Sequence, residues 1–530
     1  MAVKLSLSVR VPALLSLLVL LFPAVTLVGQ TSAPPQQPSL QDSIRDLQDQ
    51  VRELRSAISE MKAESARYRQ ETMELRRELQ QTRVLWSAGG ANPTASLPAA
   101  PQSATSAESD SSSRDQQPLS ERVAKLEEDQ QLLSSKVDDQ YQTKVESASK
   151  YKVRLSGIVL FNLAGNSGAV DNIDFPTLAV GGSTLDHGSL AGTLRQSELG
   201  LEVFGPQVFG ARTSGNIQFD FAGGFPAELN GVTAGIMRLR TGTVDLDWQN
   251  TSVVAGQDTL FFSPNSPTSF ATLAVPALAY AGNLWTWAPQ FRVEHRFAVT
   301  DTSKIVLQGG ILDNLTGEPP NGDSFQFYRL PQAGESSRQP GYAARVAWTH
   351  PAFGNAFTFG LGSYYSRQNW GFSHNVDGWA GTADWNLPLG RLFAVSGEFY
   401  RGRAIGGLGG SLGRSVIWDK PLNDPTTTVV PLNSIGGWTQ VKFKPASKVE
   451  LNGAFGQDTT FASDLNAFLN GGASYFNPNL ARNRSMFSNV IYRPRSDLLF
   501  ALEYRRLHTA NIYGGVENAN HINLSMGILF

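Results

Sequence analysis

Between residues 150 and 530 the apolar side chains recur at every second position, in segments whose connections alternate between short and long. In the first segment Val153, Leu155, Val159, Phe161 and Leu163 alternate with Lys152, Arg154, Ser156 and Asn162. In the last, Ile522, Leu524, Met526, Ile528 and Phe530 alternate with His521, Asn523, Ser525 and Gly527. Period two is the signature of a strand with one apolar and one polar face. A soluble double sheet shows the same alternation, so the alternation alone does not discriminate. The connections do. Sixteen strands are expected to begin near 150, 192, 209, 235, 251, 288, 303, 341, 355, 375, 391, 435, 448, 484, 497 and 518. Every second connection is a short turn, such as HPAFGN from 350, LPLG from 387 and KPASK from 444. Those between are mostly long: 165–191, 221–234, 260–287, 314–340, 404–434 and 458–483. A transmembrane barrel sorts its connections to two sides in this way, and an even strand number returns both ends to the short-turn side. The expected fold is therefore an all-β transmembrane barrel of about sixteen antiparallel strands over 150–530, preceded by an α-helical coiled-coil region. Trp248, Trp285, Trp287, Trp348, Trp385, Trp438 and Tyr492 lie near predicted strand ends, where an interfacial aromatic girdle would sit.

The first 149 residues have a different composition, with only Gly29, Gly89 and Gly90 among the 50 glycines of the chain. Lys4 and Arg10 precede an apolar run over 11–28, and small residues follow, which reads as a signal peptide over 1–29. Cleavage after Gly29 or Ala33 fits equally. A membrane anchor is the competing reading, since about 20 apolar residues span a bilayer; Pro23 and the small polar segment after it favour cleavage. Within 40–86, Ile44, Leu47, Val51, Leu54, Ile58 and Met61 open a seam in steps of three and four that Ser65, Tyr68, Thr72, Leu75, Leu79 and Thr82 continue. Charged flanks and more than five unbroken heptads predict a periplasmic coiled coil. Residues 87–118 are Ser/Ala/Pro-rich and read as a flexible linker. A second, shorter seam over 119–147 carries Leu119, Val123, Leu126, Leu133 and Val137.

Composition excludes much chemistry. With no cysteine, disulfides, thiolate metal sites and cysteine nucleophiles are ruled out. The six histidines have no ligand or triad spacing and HExxH is absent, so no metal, cofactor or catalytic residue is expected. A net charge of −2 gives no reason to expect nucleic acid as a partner.

Four motifs then carry a resemblance. They are Arg195-Gln196-Ser197-Glu198-Leu199-Gly200, Gln218-Phe219-Asp220-Phe221, Arg238-Leu239-Arg240, and Gly256-Gln257-Asp258-Thr259-Leu260-Phe261 before the third long loop. With these motifs, a coiled-coil leader and the terminal Phe530, the chain resembles the DcaP-like trimeric outer-membrane porins of the porin superfamily. The resemblance implies a homotrimer in outer-membrane lipid and passive uptake of small anionic solutes such as dicarboxylates. A phosphate-selective relative is disfavoured, because no loop carries closely spaced lysines.

Parity assigns the lumen face, because residues opposite the lipid-facing apolar set must face inward. It places inside Lys152 and Arg154; Glu198 and Glu202; Arg292, Glu294 and Arg296; Arg345; Lys442 and Lys444; and Glu503 and Arg505. On the fourth strand Arg238 and Arg240 share a face with Asp245 and Asp247 only if a bulge near 241–243 shifts the register. The pore-lining candidates are thus Arg154, Arg238, Arg240, Arg292, Glu294, Arg296, Arg345, Lys442 and Arg505. Acidic residues gather in the long loops and their edges (Asp171, Asp174, Asp186, Asp313, Glu318, Asp323, Asp419, Asp424, Asp458, Asp464), where few partners are expected, while arginine gathers on strands. An arginine-lined lumen focuses positive potential and favours small anions; the bland alternative is that the arginines pair with Glu198, Glu294 and Glu503 and only solvate the wall. The third long loop, Phe262–Trp287, is too apolar to stay exposed and is expected to fold into the lumen. The glycine-rich stretch Gly406–Gly413 reads as a flexible loop tip. Two further functions compete: a structural tether from the outer membrane to the cell wall through the coiled coil, and an outer-membrane barrel enzyme.

Overall fold

The computed structural model describes residues 144–145, 152–181, 188–224, 235–319, 329–469 and 471–530. The expected signal peptide, first coiled coil and linker, and the second coil up to residue 143, lie outside the described residues. Within them, sixteen antiparallel strands close into one barrel. In chain order they are β1 Lys152–Ser167, β2 in two segments Gly188–Thr193 and Glu198–Val208, β3 Ala211–Asp220 and β4 Arg238–Asp247. Next come β5 Thr251–Thr259, β6 Trp287–Ala298, β7 Lys304–Leu312 and β8 Gly341–Ala352. Then follow β9 Asn355–Asn369, β10 Asn375–Leu389, β11 Phe393–Arg403 and β12 Asn433–Ala446. The last four are β13 Val449–Thr460, β14 Leu480–Tyr492, β15 Leu498–Asn511 and β16 Val516–Leu529. A two-residue strand, Lys144–Val145, pairs with Arg154 and Val153.

Each strand pairs with its neighbours in the chain, and β16 returns to β1, Ile528 opposite Val159 and Leu524 opposite Leu163. Phe530 continues that ladder by exchanging backbone hydrogen bonds with Gly157. Closure leaves no strand edge unpaired, which an apolar membrane interior requires. The outer face carries the apolar member of each pair, exposed in the isolated chain: Leu155, Val159, Phe161, Val346, Leu361, Phe455, Leu502, Leu524 and Met526 among others. No described helix is long and apolar enough to cross a membrane.

One expectation about the wall needs correction. The girdle reading holds for Trp348 and Tyr492, which are exposed on the outer face, but Trp438 is buried against Ala277, Leu278 and Ala281 on the lumen side. Trp285 and Trp287 also face inward, edge to face at 5.6 Å. Position near a strand end does not settle a side chain's face; parity does. The bulge of β4 falls one residue before the expected stretch: Gln218 pairs with Thr241 and Phe219 with Leu239, so Arg240 is the extra residue. That insertion is what sets Arg238 and Arg240 on the same inner face as Asp245.

Candidate functional site

The long loops do not stand away from the barrel. L3 (260–286) fills the lumen, with Leu260, Phe261, Phe262, Ala274, Ala277, Leu278 and Leu284 buried there. Apolar residues pull the loop in, and polar wall residues fasten it. Phe262 stacks on Tyr364 of β9 at 5.5 Å, and its carbonyl accepts from Thr382 Oγ1 of β10 at 2.6 Å. Glu398 of β11 accepts from Ser263 Oγ at 2.6 Å and from the Asn265 amide at 2.7 Å. Gln440 of β12 accepts from the Thr268 amide at 2.6 Å, and Asn489 of β14 donates to the Thr268 carbonyl at 2.9 Å. Glu503 of β15 accepts from Ser269 Oγ at 2.5 Å. On the far side Asn162 of β1 donates to Phe270 O at 3.0 Å. At Gly282 (φ +96°) the loop lies so close to β12 that a Cβ would sit 2.2 Å from Gly437 O.

The second strand breaks at 194–197 to complete this fastening. Gln196 turns inward and both donates to Ala271 O at 2.9 Å and accepts from the Ala274 amide at 3.1 Å. Next to it Arg195 is ion-paired with Asp174 of L1 (168–187). Asp174 therefore has a partner, contrary to expectation, and so do the other described loop acids. Asp171 accepts from the Thr177 amide, Asp313 lies near Arg329, Glu318 accepts from the Ser415 amide, and Asp419, Asp424 and Asp464 cap Thr428, Thr426 and Asn433. Asp458 accepts from Tyr400 Oη at 2.6 Å. Asp186 and Asp323 lie outside the described residues. Gly406–Gly413 is not an exposed tip either. Apart from Gly407 its residues are buried; Leu408 O accepts from the Trp285 amide of L3, and Ser411 Oγ meets Thr460 Oγ1 at 2.8 Å. Its neighbour Arg414, wholly buried in L6 (404–432), donates to Asn477 O at 3.0 Å and Pro478 O at 2.9 Å. Burial holds its guanidinium down at about 10, and burial pushes the Glu318 carboxyl of L4 (313–340) up to about 7. L1, the tip of L3, L6 and the start of β14 enclose a mouth cavity of about 370 Å³ lined by Asp171, Tyr280, Leu412 and Phe476.

The structure sorts the charged residues that parity singled out into pairs. Arg238 and Arg240 both reach Asp220, at 2.6 and 3.2 Å, and Arg240 also reaches Glu198 at 2.6 Å. Their guanidiniums lie 4.9 and 4.8 Å from the centre of the Trp287 ring and donate to Ala274 O and Leu273 O of L3. Arg292 pairs with Asp258 at 2.7 Å. Arg296 pairs with Asp247 and Glu294, both at 2.9 Å; Glu294 in turn accepts from Gln308 at 2.9 Å, and Gln308 accepts from Arg345 at 3.0 Å. Arg345 closes on Asp384 at 2.7 Å. Guanidinium–carboxylate pairs thus form a ladder along the inner wall from β2 to β10, with Gln308 joining the Arg296–Glu294 pair to Arg345–Asp384. Arg154 (with Glu202, 3.4 Å), Lys442 (with Glu450, 3.2 Å) and Arg505 (with Glu503, 2.7 Å) lie apart from it. Arg505 is buried behind L3, where it also donates to Thr272 Oγ1 at 3.2 Å. It fastens the loop rather than lining open water.

The four motifs that carried the resemblance converge here: Gln196 on L3, Asp220 between Arg238 and Arg240, and Asp258 on Arg292. Sequence reasoning weighed charged residues and passed over the amides. Gln440 donates to Asn452, Asn452 to Asn489, and Asn489 to Glu503, all at 2.9–3.1 Å, forming a second ladder opposite the first. Amides at lumen parity on three successive strands, β12 to β14, were the available signal. Among the described residues no group of three or more His, Asp or Glu is placed to hold a metal ion.

No protein-family model and no curated protein matches the sequence. Among solved structures, the outer membrane channel DcaP of Acinetobacter baumannii aligns over 73% of this chain and 100% of its own, with 18% identity and a TM-score of 0.54. An anion-selective porin from Comamonas acidovorans aligns over 72% of this chain and 100% of its own, with 12% identity and a TM-score of 0.44. OprB of Pseudomonas putida aligns over 71% of this chain and 94% of its own, with 13% identity and a TM-score of 0.42. The similarity to the DcaP channel establishes a common barrel fold.

Proposed function

We propose that this chain is an outer-membrane porin that lets small hydrophilic solutes diffuse past L3 along the β4–β10 wall. The observation that carries this reading is the asymmetry of the lumen. L3 is fastened to the amide side by buried hydrogen bonds and to Arg238 and Arg240 at the ladder's start, which leaves the stretch around Arg292 and Arg296 as the partly solvated side, with Arg296 and Asp247 each about 30% exposed. In this reading the long loops face the outside, the N-terminal region lies in the periplasm where its coiled coil is available for a cell-wall contact, and the assembly is the homotrimer that the resemblance implies.

Within that reading the preferred solutes are anionic, dicarboxylates among them, and Arg292 is the selecting group. Its guanidinium spends Nη1 on Asp258 and Gln290, and its Nε is buried without a partner, which leaves Nη2 as the open donor. A passing carboxylate can therefore take Nη2 as a charge-assisted donor. Arg345, whose three nitrogens are all engaged, offers less. Osmotic swelling of liposomes tests the porin itself: no solute flux would leave the tether as the better reading. Reversal potentials under a salt gradient test selectivity. Arg292→Ala is expected to lower the anion-to-cation permeability ratio, and an unchanged ratio would assign the ladder to wall solvation alone.

A further inference from the structure

The ladder accounts for the lumenal arginines but not for a second set on the opposite face of the wall. Parity on β11, β14 and β15 sends Phe399, Met486, Val490, Leu502 and Tyr504 outward, and the same parity sends Arg401, Arg403, Arg482, Arg484 and Arg506 outward at the long-loop ends of these strands. Among the described residues none of the five has an ion-pair partner, whereas Arg367 on the same belt is paired with Asp377. Arg401 donates to Ser434 O and Asn433 Oδ1, and Arg484 to Gln457 Oε1. The Nε of Arg482 is buried with no partner at all.

Three of these arginines form a cluster. Arg482 and Arg484 are two residues apart on one face, about 7 Å. Arg484 lies opposite His508 and Arg506 opposite Met486, which makes Arg484 and Arg506 diagonal neighbours about 7–8 Å apart. Directly below, towards the bilayer centre, a groove of about 420 Å³ is cut into the apolar belt between Val441, Phe455, Met486 and Tyr504. Its floor is Gly453, where an added Cβ would meet nothing within 4 Å. A cationic cluster at the interface above an apolar groove is complementary to one kind of occupant, an anionic headgroup joined to acyl chains.

We propose that Arg482, Arg484 and Arg506 bind the phosphate of a phosphorylated, acylated lipid of the outer leaflet, one acyl chain of which lies in the Gly453 groove. The leaflet rests on the porin orientation above; the chemistry of the site does not. Uncompensated guanidiniums at headgroup depth gain charge-assisted hydrogen bonds from phosphate oxygens, while their stems stay against the apolar wall.

The test uses full-length protein in mild detergent, titrated with lipid A and followed by native mass spectrometry. Dephosphorylated lipid A and inorganic phosphate serve as comparison ligands. The expected result is retention of lipid A that falls about tenfold or more in the triple variant Arg482→Gln, Arg484→Gln, Arg506→Gln. It should fall severalfold in Gly453→Trp, which fills the groove without touching the charges, and stay unchanged in Arg292→Ala. Equal retention by the triple variant, or equal binding of the dephosphorylated lipid, overturns the proposal. Inorganic phosphate that displaces lipid A at matched concentration would make this a free-phosphate site and also overturn it. Should the triple variant lose its β spectrum, Arg506→Gln alone, on an exposed side chain, supplies the same comparison at smaller amplitude. Single-channel conductance, recorded in parallel, reads the porin function independently, because these side chains face away from the lumen.

Discussion

Arginine occupies the two faces of this barrel under opposite conditions. On the lumen face of β4–β8 each of Arg238, Arg240, Arg292, Arg296 and Arg345 rests on a carboxylate. On the outer face of β11–β15 Arg401, Arg403, Arg482, Arg484 and Arg506 have none among the described residues. The difference follows from the surroundings. A guanidinium confined between a wall and a packed loop has lost much of its water, and an unpaired charge there costs several kcal/mol. At the level of the lipid headgroups water and phosphate are both at hand, so no internal partner is needed. The same residue type is a structural pair on one side and an unspent charge on the other. Its role cannot be assigned without its partner.

The strongest way to break this comparison is to leave a lumenal charge unpaired. Arg505→Met strands Glu503, both being buried, and is expected to destabilise the barrel by about 3–5 kcal/mol in denaturant unfolding; a loss below about 1 kcal/mol would show that Ser269 and Asn489 suffice as partners. Gln196→Leu comes next. It removes one donor and one acceptor from buried backbone groups of L3, at a cost of about 1–3 kcal/mol each. Single-channel conductance should rise and become noisier as L3 loosens, with the β spectrum unchanged; conductance identical to the parent protein would mean that the apolar packing holds L3 unaided.

The effect of pH is smaller and sharpens the comparison at the loops. The Glu318 carboxyl titrates above its ordinary value of 4.5, at about 7, because it is buried. The folded loops then bind the proton more tightly than the unfolded chain. Packing of L4 on L6 is therefore strongest below about pH 4.5 and weakens as pH rises through about 7, by an amount on the order of 3 kcal/mol. The protection factor of the Ser415 amide in hydrogen exchange should fall between pH 5 and pH 8, and Glu318→Gln should abolish that fall. The smallest effect is expected at Arg154, whose pair with Glu202 is 3.4 Å long and mostly exposed. Arg154→Gln should change stability by less than about 0.5 kcal/mol; a larger loss would mean that solvent-facing pairs matter here as the enclosed ones do.

Much of the fold was legible. All sixteen expected strand starts fall within a few residues of the observed ones, from Lys152 near 150 to Val516 near 518. Strand alternation and turn length are local properties, and closure of the barrel follows once every strand has a neighbour on each side. The inward fate of L3 was legible too, because its apolar content had nowhere else to be buried. The pairing of Arg292 with Asp258 and of Arg345 with Asp384 was not, since parity gives a face but not a partner. Gly406–Gly413 was misread because a glycine-rich segment offers little apolar surface of its own. It is buried by the loops and strands around it.

The sequence by itself determined the barrel, its strand number, the two faces of each strand and the need to bury the third long loop. All of these follow from hydrophobic periodicity and the physical impossibility of leaving backbone polar groups or apolar loops unmatched to their surroundings. Only the tertiary structure decided which arginines are neutralised, that Gln196 and the amides of β12–β14 hold L3, and that five arginines stand unpaired outside. Those outcomes depend on residues brought together across the lumen from positions as far apart as Ser269 and Glu503, and no local pattern encodes a distance between them.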